Sequence, residues 1–336
     1  MTKLLRELAL DVLGQPWLAR LLASGTGPRC VILMLHRFGS ADGERGGHDP
    51  ARLRQLLGGL RKSKIVLVGL DEAISAMRGA DAGGPLPRRS VAFTVDDGYV
   101  DFVETGVPVF TEYDCPVTGF VVPGIMDGLR WFWWDQIDWV MRESALRSIT
   151  AVLQERPITV SWGDPTSRKV ERNRLVEQLK SVQHTELLRF IREFARAGDV
   201  SLDTPTPERY RLLEWDELRA AERKGVRFGA HSMTHPILSR CTAEQSAFEI
   251  SESVRRVNQE LVNSSKVFCY PNGQANDFGD REMASVRFAG LDAALSSQPG
   301  VIRYRTNQAL DENWRLAVPR FASVDHPGYI TRFFLG

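Results

Sequence analysis

Short apolar runs alternate along the chain with amphipathic stretches. Runs of strand length, rich in Val, Ile and Leu, occupy Cys30–His36 and Ser90–Val95, and the leucines of Ala51–Ser63 between them recur at helical spacing. The other predicted strands are Lys64–Leu70, Val117–Val122, Val226–Ala230, Lys266–Tyr270 and Ala293–Ser296. This alternation favours an α/β fold whose largely parallel sheet is closed as a barrel or doubly wound.

The alternation stops between about Ile125 and Leu213, where we find no run that predicts a strand. The aromatic stretch WFWWDQIDW is followed there by helical segments such as RKVERNRLVEQLKS and TELLRFIREFARAG. Unstructured loops of that length are uncommon, so we predict an α-helical insertion, and insertions between barrel elements usually cover the functional face.

The first 28 residues predict two short amphipathic helices. Arg6, Glu7, Asp11 and Arg20 interrupt the apolar run that a signal peptide needs, and we find no uncharged apolar stretch of membrane-spanning length in the chain. These helices pack on the domain or, as the alternative, anchor it weakly to a membrane surface. We therefore expect a cytoplasmic protein, with the inner face of the membrane as its alternative place.

The charge balance and the cysteine pattern bear on the partners and the compartment of the protein. The 336 residues include 43 basic and 42 acidic side chains, and this balance predicts no nucleic-acid partner. The four cysteines are scattered and form no C-x-x-C pair, which suits a reducing compartment.

Polar clusters follow several predicted strands. Asp96 and Asp97 stand side by side directly after Ser90–Val95. Two adjacent buried carboxylates repel one another unless a metal or a proton compensates, although an Asp-Asp-Gly sequence is often only a turn.

His231 and His235 form an i, i+4 pair after the strand that ends at Ala230. On a helical turn this spacing points both rings to one side, as in a divalent-metal site, and the alternative is a chance pair with packing roles. With the carboxylates it composes a His-His-Asp set with open positions, which suits a catalytic metal.

The motifs resemble the polysaccharide deacetylase family, also called the NodB-homology or carbohydrate esterase family 4. Its T-F-D-D-G signature corresponds to Thr94–Gly98, its H-[ST]-x-x-H to His231–His235, and its R-x-P-Y-G-like segment to Cys269–Gly273. The stretch LMLHRF is similar to the branch that acts on exopolysaccharides and other surface glycans.

The resemblance implies a distorted (β/α) barrel over residues 29–336 that hydrolyses the N-acetyl group of an amino sugar. It implies one divalent metal, usually Zn²⁺, held by Asp97, His231 and His235, with Asp96 as the catalytic base. The implied partner is an N-acetylated glycan, either a cell-surface polysaccharide or its lipid-linked precursor. Such a metal polarises the carbonyl and lowers the pKa of bound water.

Other roles follow from the same resemblance. The backbone N–H of Asn272 is implied for the oxyanion, and we place Tyr270 beside it on the substrate side. Cys269 stands where many members have an arginine that holds the base, so either Arg320 fills that space from another strand or the base has a different environment.

His36 ends the strand Cys30–His36 and is expected on the same barrel face as Asp96. In the branch that LMLHRF resembles, the histidine that protonates the departing amine comes from this strand, which implies that role for His36. The alternatives are that His36 only caps the strand or supports the site by a hydrogen bond, or that His326 supplies the acid.

Two groups lie in the predicted insertion. Trp133 or Trp134 is expected to form a sugar-stacking wall, against the alternative that the tryptophans belong to a core. The basic run from Arg168 to Arg174 is either a solvated face or a contact for a phosphate-bearing lipid carrier.

Two functional alternatives remain. The same site could act on a different substrate, namely an O-acetyl ester, an N-formyl sugar or a non-sugar amide. The other alternative is a carbohydrate-binding or assembly protein that lost turnover, motivated by Cys269.

Overall fold

The computed structural model describes residues 28–39, 46–77, 86–128, 131–303, 313–322 and 330. The predicted N-terminal helices, with their proposed membrane contact, and His326 lie outside these residues. No helix within the described ranges is long and apolar enough to cross a bilayer.

Strands and helices alternate over most of the chain. The strands are β1 (Arg29–Leu35), β2 (Val66–Leu67), β3 (Arg89–Val95), β4 (Val117–Val121), β5 (Ser148–Leu153), β6 (Arg156–Ser161), β7 (Arg227–Ala230), β8 (Val267–Cys269), β9 (Ala293–Leu295), β10 (Ile302–Arg303) and β11 (Phe321–Ala322). The helices are α1 (Pro50–Lys62), α2 (Leu70–Met77), α3 (Val107–Glu112), α4 (Pro123–Met126), α5 (Trp133–Glu143), α6 (Pro165–Leu179), α7 (His184–Ala197), α8 (Trp215–Glu222), α9 (Ala243–Glu260) and α10 (Asp280–Phe288). Single turns of 3₁₀ or π type lie at Phe102–Gly106, Glu208–Tyr210, Leu238–Arg240 and Trp314–Ala317.

The parallel strands form a barrel. β1 pairs with β3, β3 with β4, and β4 with β7, all in parallel, and β8 pairs in parallel with β9. Residues 313–322 complete the ring. Val318 forms a bridge with Leu295 of β9, and β11 pairs with β1. Between β7 and β8 the Ser265 N–H donates to the Phe228 carbonyl over 2.8 Å. The predicted distorted (β/α) barrel is confirmed.

The barrel strands are buried on both faces, as parallel strands between helices are. Val31, Leu33 and Leu35 of β1 pack with the leucines of α1. Cys30 and Ile32, which point the other way, pack with residues of β4, β8 and β9. Continuous apolar runs were therefore the right signal for these strands.

The region from Ile125 to Leu213 is not purely helical. It contains α5, α6 and α7, but β5 and β6 form an antiparallel hairpin beside them, so the expectation of no strand there is wrong. The hairpin turn lacks the usual glycine: Gln154 and Glu155 have φ values of 50° and 64°. The Gln154 N–H donates to Glu186 of α7 over 2.8 Å, which supports the turn from outside the hairpin. Helices and hairpin share a separate apolar core.

Gly119 of β4 gives a test of barrel packing. A Cβ atom there would lie 2.7 Å from the Phe228 ring and 2.8 Å from the Phe102 ring, so we expect Gly119→Ala to destabilise the protein by ~1–3 kcal/mol. The control is Gly163→Ala, whose Cβ would meet nothing within 4 Å and should change stability by less than ~0.5 kcal/mol. Urea unfolding of both variants measures the difference. Equal midpoints would contradict the packing.

Candidate active site

Parallel register brings the first predicted residues together. Leu35 and Val95 are partners in the β1–β3 ladder, and the Asp96 N–H donates to the Leu35 carbonyl over 2.9 Å. His36 and Asp96, which follow these two strands, therefore emerge side by side at the carboxyl end of the barrel. Active sites of α/β barrels lie at this end.

The loops after the strands contain several left-handed residues. Asp97, Ser232, His235 and Asn272 have φ values of 76°, 65°, 58° and 59°. This conformation is uncommon for residues other than glycine, and such positions cluster at functional sites. At Gly98 the φ of 76° favours glycine, and an added Cβ would also lie 3.0 Å from Val121 Cγ1, which is a tight contact.

Asp97, His231 and His235 converge as predicted from the motifs. The Asp97 Oδ1 atom lies 3.7 Å from His231 Nε2 and 3.4 Å from His235 Nε2. One ligand atom from each of the three lies within 4.8 Å of the others. The spacing of the two histidines predicts a shared helical turn, and that prediction is wrong. They belong to an irregular loop between β7 and a 3₁₀ turn.

Hydrogen bonds fix this loop. His231 Nδ1 donates to the Cys269 carbonyl over 2.7 Å, which leaves Nε2 free as a ligand. The His235 N–H donates to Ser232 Oγ over 3.0 Å. Both the N–H and the hydroxyl of Thr234 donate to the buried carboxylate of Glu249 in α9.

The donor set fits a divalent metal. Burial and the Asp96 carboxylate raise the pKa of Asp97 well above its usual value, whereas burial lowers the pKa of His231 to about 4 and that of His235 well below its usual value. No lysine or arginine is ion-paired with Asp97 in the described part of the chain. The site therefore offers two neutral imidazoles and a carboxylate that has no cationic partner. Zn²⁺ accepts ligands of these types in catalytic sites.

Asp96 is held by Arg320. The guanidinium donates from Nη1 to Oδ1 over 2.8 Å and from Nη2 to Oδ2 over 2.9 Å, and both side chains are buried. Of the two arrangements considered for the missing family arginine, the structure has the first. Burial alone would raise the pKa of Asp96, but Arg320, together with His231 and His36, holds that pKa below its ordinary value.

Further contacts orient the guanidinium. Arg320 Nη1 also donates to Thr94 Oγ1 over 3.0 Å, and Nε donates to the Ser296 carbonyl over 2.9 Å. Its Nη2 lies 3.1 Å from Cys269 Sγ, so the cysteine occupies space beside the ion pair. Every nitrogen of the Arg320 side chain thus has a protein partner.

A second group of possible ligands comprises Asp96, His231 and Cys269. Burial raises the pKa of the Cys269 thiol well above its usual value, and Arg320 already binds both oxygens of Asp96. A thiolate is the form that binds metal. The set with Asp97 is therefore the better metal site.

These groups open into one cavity of about 540 Å³. The site residues that line it are His36, Asp96, Asp97, Trp133, Trp134, His231, His235, Tyr270 and Asn272. Burial lowers the pKa of the His36 imidazole. The volume is in the ~300–1,000 Å³ range of small-molecule sites.

Asn272 and Tyr270 differ in what they offer a substrate. Within the described residues we find no acceptor for the Asn272 backbone N–H, and its side chain is held by Asp277. The Tyr270 ring is buried and stacked on Phe278 at 4.0 Å, so its main contacts are with the core.

Trp134, in α5 of the insertion, contacts one of the proposed metal ligands. Its ring packs edge-on against His235, with centroids 4.7 Å apart, and its Nε1 donates to the Tyr99 hydroxyl over 3.0 Å. Tyr99 in turn donates to Asp135 over 2.6 Å, and burial raises the pKa of Asp135 to about 7. This buried network fixes the orientation of the cavity wall.

Sequence reasoning missed the supporting residues Tyr99, Asp135, Glu249 and Ser296. A signal existed for Glu249, because it lies on the buried stripe of α9 with Ser246 and Ser253. Tyr99 follows the Asp-Asp-Gly motif directly, but nothing in the pattern pairs it with Asp135.

Replacing Arg320 tests the ion pair. We expect Arg320→Gln to destabilise the protein by ~3–5 kcal/mol at neutral pH, because it leaves the buried Asp96 carboxylate unpaired. Arg54→Gln is the control: its pair with Glu112 is exposed and is worth at most ~1 kcal/mol. Urea unfolding measures both.

The cost should also depend on pH. Without Arg320, burial raises the pKa of Asp96, so stability of the variant is retained below that carboxyl's unfolded pKa and lost as the pH rises from there through its raised folded pKa. The wild-type pair stays charged over the same range. The cost of Arg320→Gln should therefore be smaller near pH 4 than near pH 7, and a constant cost would contradict the assigned pairing.

Comparison with known proteins agrees with this geometry. The chain matches the polysaccharide deacetylase family over residues 83–157 and 166–292. No curated protein matches it.

Three solved structures are similar in fold. The Streptococcus pyogenes deacetylase PplD is 14% identical, with a TM-score of 0.57, over 92% of this chain and 99% of that one. IcaB from Ammonifex degensii is 15% identical, with a TM-score of 0.56, over 93% and 99%. A de-N-acetylase from Aggregatibacter actinomycetemcomitans is 13% identical, with a TM-score of 0.52, over 88% and 95%. Because the family match covers more than half of the sequence and includes all three motifs, the chain belongs to the polysaccharide deacetylase family.

Proposed function

We propose that this glycan deacetylase is a divalent-metal hydrolase that removes the N-acetyl group from an amino sugar of a cell-surface polysaccharide or its lipid-linked precursor. The observation that carries the proposal is the division of the carboxylates. Asp96 is paired with Arg320, whereas Asp97 faces His231 and His235 across 3.7 and 3.4 Å.

A metal bound by Asp97 and the two histidines, most simply one Zn²⁺, would polarise the amide carbonyl and lower the pKa of a water molecule. Asp96 is the base that accepts a proton from the attacking water. The bidentate contact with Arg320 keeps Asp96 ionised and fixes its orientation. The backbone N–H of Asn272 is directed to the oxyanion.

His36 completes the proton transfers. An amine leaves a tetrahedral intermediate poorly unless its nitrogen is protonated, so an acid is required on this side of the site. His36 lines the cavity and follows the strand paired with that of Asp96. The Asp96 carboxylate favours the protonated imidazole, in opposition to burial.

The substrate would rest against Trp134, with its acetamide toward Asp97.

The four cysteines are buried free thiols, which supports the proposal that the protein works in a reducing compartment, the cytoplasm. No observation favours an O-acetyl ester, an N-formyl group or a non-catalytic role, and these become outcomes of the tests below.

Metal binding is the first test. His231→Ala should abolish zinc binding because it removes a ligand that the Cys269 carbonyl holds in place. His184→Ala, which changes a histidine outside the ligand set, should leave the zinc content at about one ion. Plasma mass spectrometry of the purified proteins gives the metal content. Full zinc occupancy in His231→Ala would show that the ligands are assigned wrongly.

Loss of turnover with zinc retained is the second test. Asp96→Asn and His36→Gln should keep zinc, yet release acetate from N-acetylglucosamine oligomers about 10²–10⁴-fold more slowly, mainly in kcat. Since an acid works only while protonated, wild-type activity should fall as the pH rises, and His36→Gln should lack that limb.

Other results would redirect the proposal. Activity of either variant within twofold of the wild type would remove that residue from the mechanism. Release of formate, or of acetate from esters only, would identify an alternative substrate. A zinc-loaded wild type with no turnover on any acetylated or formylated glycan would favour the non-catalytic role.

A further inference from the structure

Besides Trp133 and Trp134 of α5, the insertion lines the catalytic cavity with one face of α6 and the residue after it. Five neighbouring positions line the cavity at spacings of one face of a helix: Arg172, Asn173, Val176, Glu177 and Lys180. The metal-ligand set lines the same cavity. A sugar bound for hydrolysis would therefore contact this face.

Arg172 is the cation on this wall without an acidic partner. Its guanidinium donates to the Asn173 side chain over 3.1 Å and to the Trp134 carbonyl over 3.4 Å, and forms no ion pair among the described residues. Its buried Nε has no hydrogen-bond partner there. By contrast, Arg174 on the same helix is paired with Glu171 over 2.8 Å and does not line the cavity.

The charge of Arg172 acts on two carboxylates, Asp135 and Asp138, but both are hydrogen-bonded to other side chains. Asp135 accepts from Tyr99 over 2.6 Å. Asp138 accepts from Arg142 over 2.7 Å and from Tyr210 over 2.6 Å. Both feel the charge of Arg172 without binding it. Nη1 and Nη2 of Arg172 each carry a second N–H, for which we find no partner among the described residues, so donors remain for a ligand.

Lys180 adds a second cation to the wall. One of its ammonium protons is directed to Glu177 over 2.7 Å, and an ammonium group has three. Its charge lowers the pKa of His36, so it acts on the interior of the site. Arg172 and Lys180 therefore flank the space between the helix and the catalytic groups.

We propose that the substrate carries an anionic group, a phosphate or a carboxylate, on or beside the N-acetylated sugar, and that Arg172 binds this group with help from Lys180. This rests on the proposed function of the same site. An N-acetylhexosamine is neutral and gives a guanidinium no charged partner, whereas phosphate and carboxylate match its paired donors. The alternative is that Arg172 only offsets the charges of Asp135 and Asp138.

Three small substrates test the inference on the zinc-loaded full chain. They are the methyl glycoside of N-acetylglucosamine, which is neutral; N-acetylglucosamine 1-phosphate; and N-acetylmuramic acid, which carries a carboxylate. We expect the wild type to prefer a charged substrate in kcat/KM by about 10- to 100-fold, as a charged hydrogen bond allows. The charged substrate that is preferred identifies the source of the anion.

Arg172→Gln should remove this preference, chiefly by raising KM for the charged substrate, so that the ratio of kcat/KM for the charged and the neutral substrate falls to about one. Arg174→Gln is the matched control and should retain the preference. A wild type without preference, a preference that survives Arg172→Gln, or equal losses on all three substrates would overturn the inference. The last result is the one that a purely structural Arg172 predicts.

Failure of the proposed function gives a different pattern. If no substrate releases acetate, calorimetric binding of N-acetylglucosamine 1-phosphate, N-acetylmuramic acid and the methyl glycoside replaces turnover. Tighter binding of either charged ligand that is lost in Arg172→Gln and kept in Arg174→Gln would still support the anion site. Equal binding of all three by the wild type would overturn it.

Discussion

Two adjacent carboxylates buried at the end of one strand are the constraint on which this site depends. Burial and mutual repulsion both oppose two charges on Asp96 and Asp97. Arg320 resolves the conflict for Asp96 by a bidentate contact at 2.8 and 2.9 Å. Asp97 faces two histidines instead, and a divalent cation is the compensation that their chemistry fits. The two residues acquire different roles because their partners differ.

The barrel makes this division possible. Parallel register places His36 beside Asp96, and the return of the chain from β9 to β1 delivers Arg320 to the same end. The insertion supplies the opposite wall, where the network from Asp135 through Tyr99 fixes Trp134 against His235. Strand ends thus supply the proposed reacting groups, and the insertion shapes the space in front of them.

Much of this architecture could be predicted from the sequence, because buried parallel strands are continuous apolar runs and the site residues follow them directly. The hairpin of β5 and β6 was missed since its turn has no glycine and depends on a contact with α7. The loop that holds His231 and His235 takes part of its shape from Glu249, 15 positions after Thr234, and the i, i+4 spacing of the histidines gives no sign of that contact. Arg320 and Asp96 are 224 positions apart, so the motif suggested a missing partner but only the fold shows the contact.

Anomalous diffraction at the zinc absorption edge, from crystals of the zinc-loaded protein, tests the division of the carboxylates most directly. Our account predicts one peak, about 2.0–2.2 Å from Asp97, His231 and His235, with Asp96 still bound to Arg320. A peak among Asp96, His231 and Cys269, with Arg320 displaced, would contradict it.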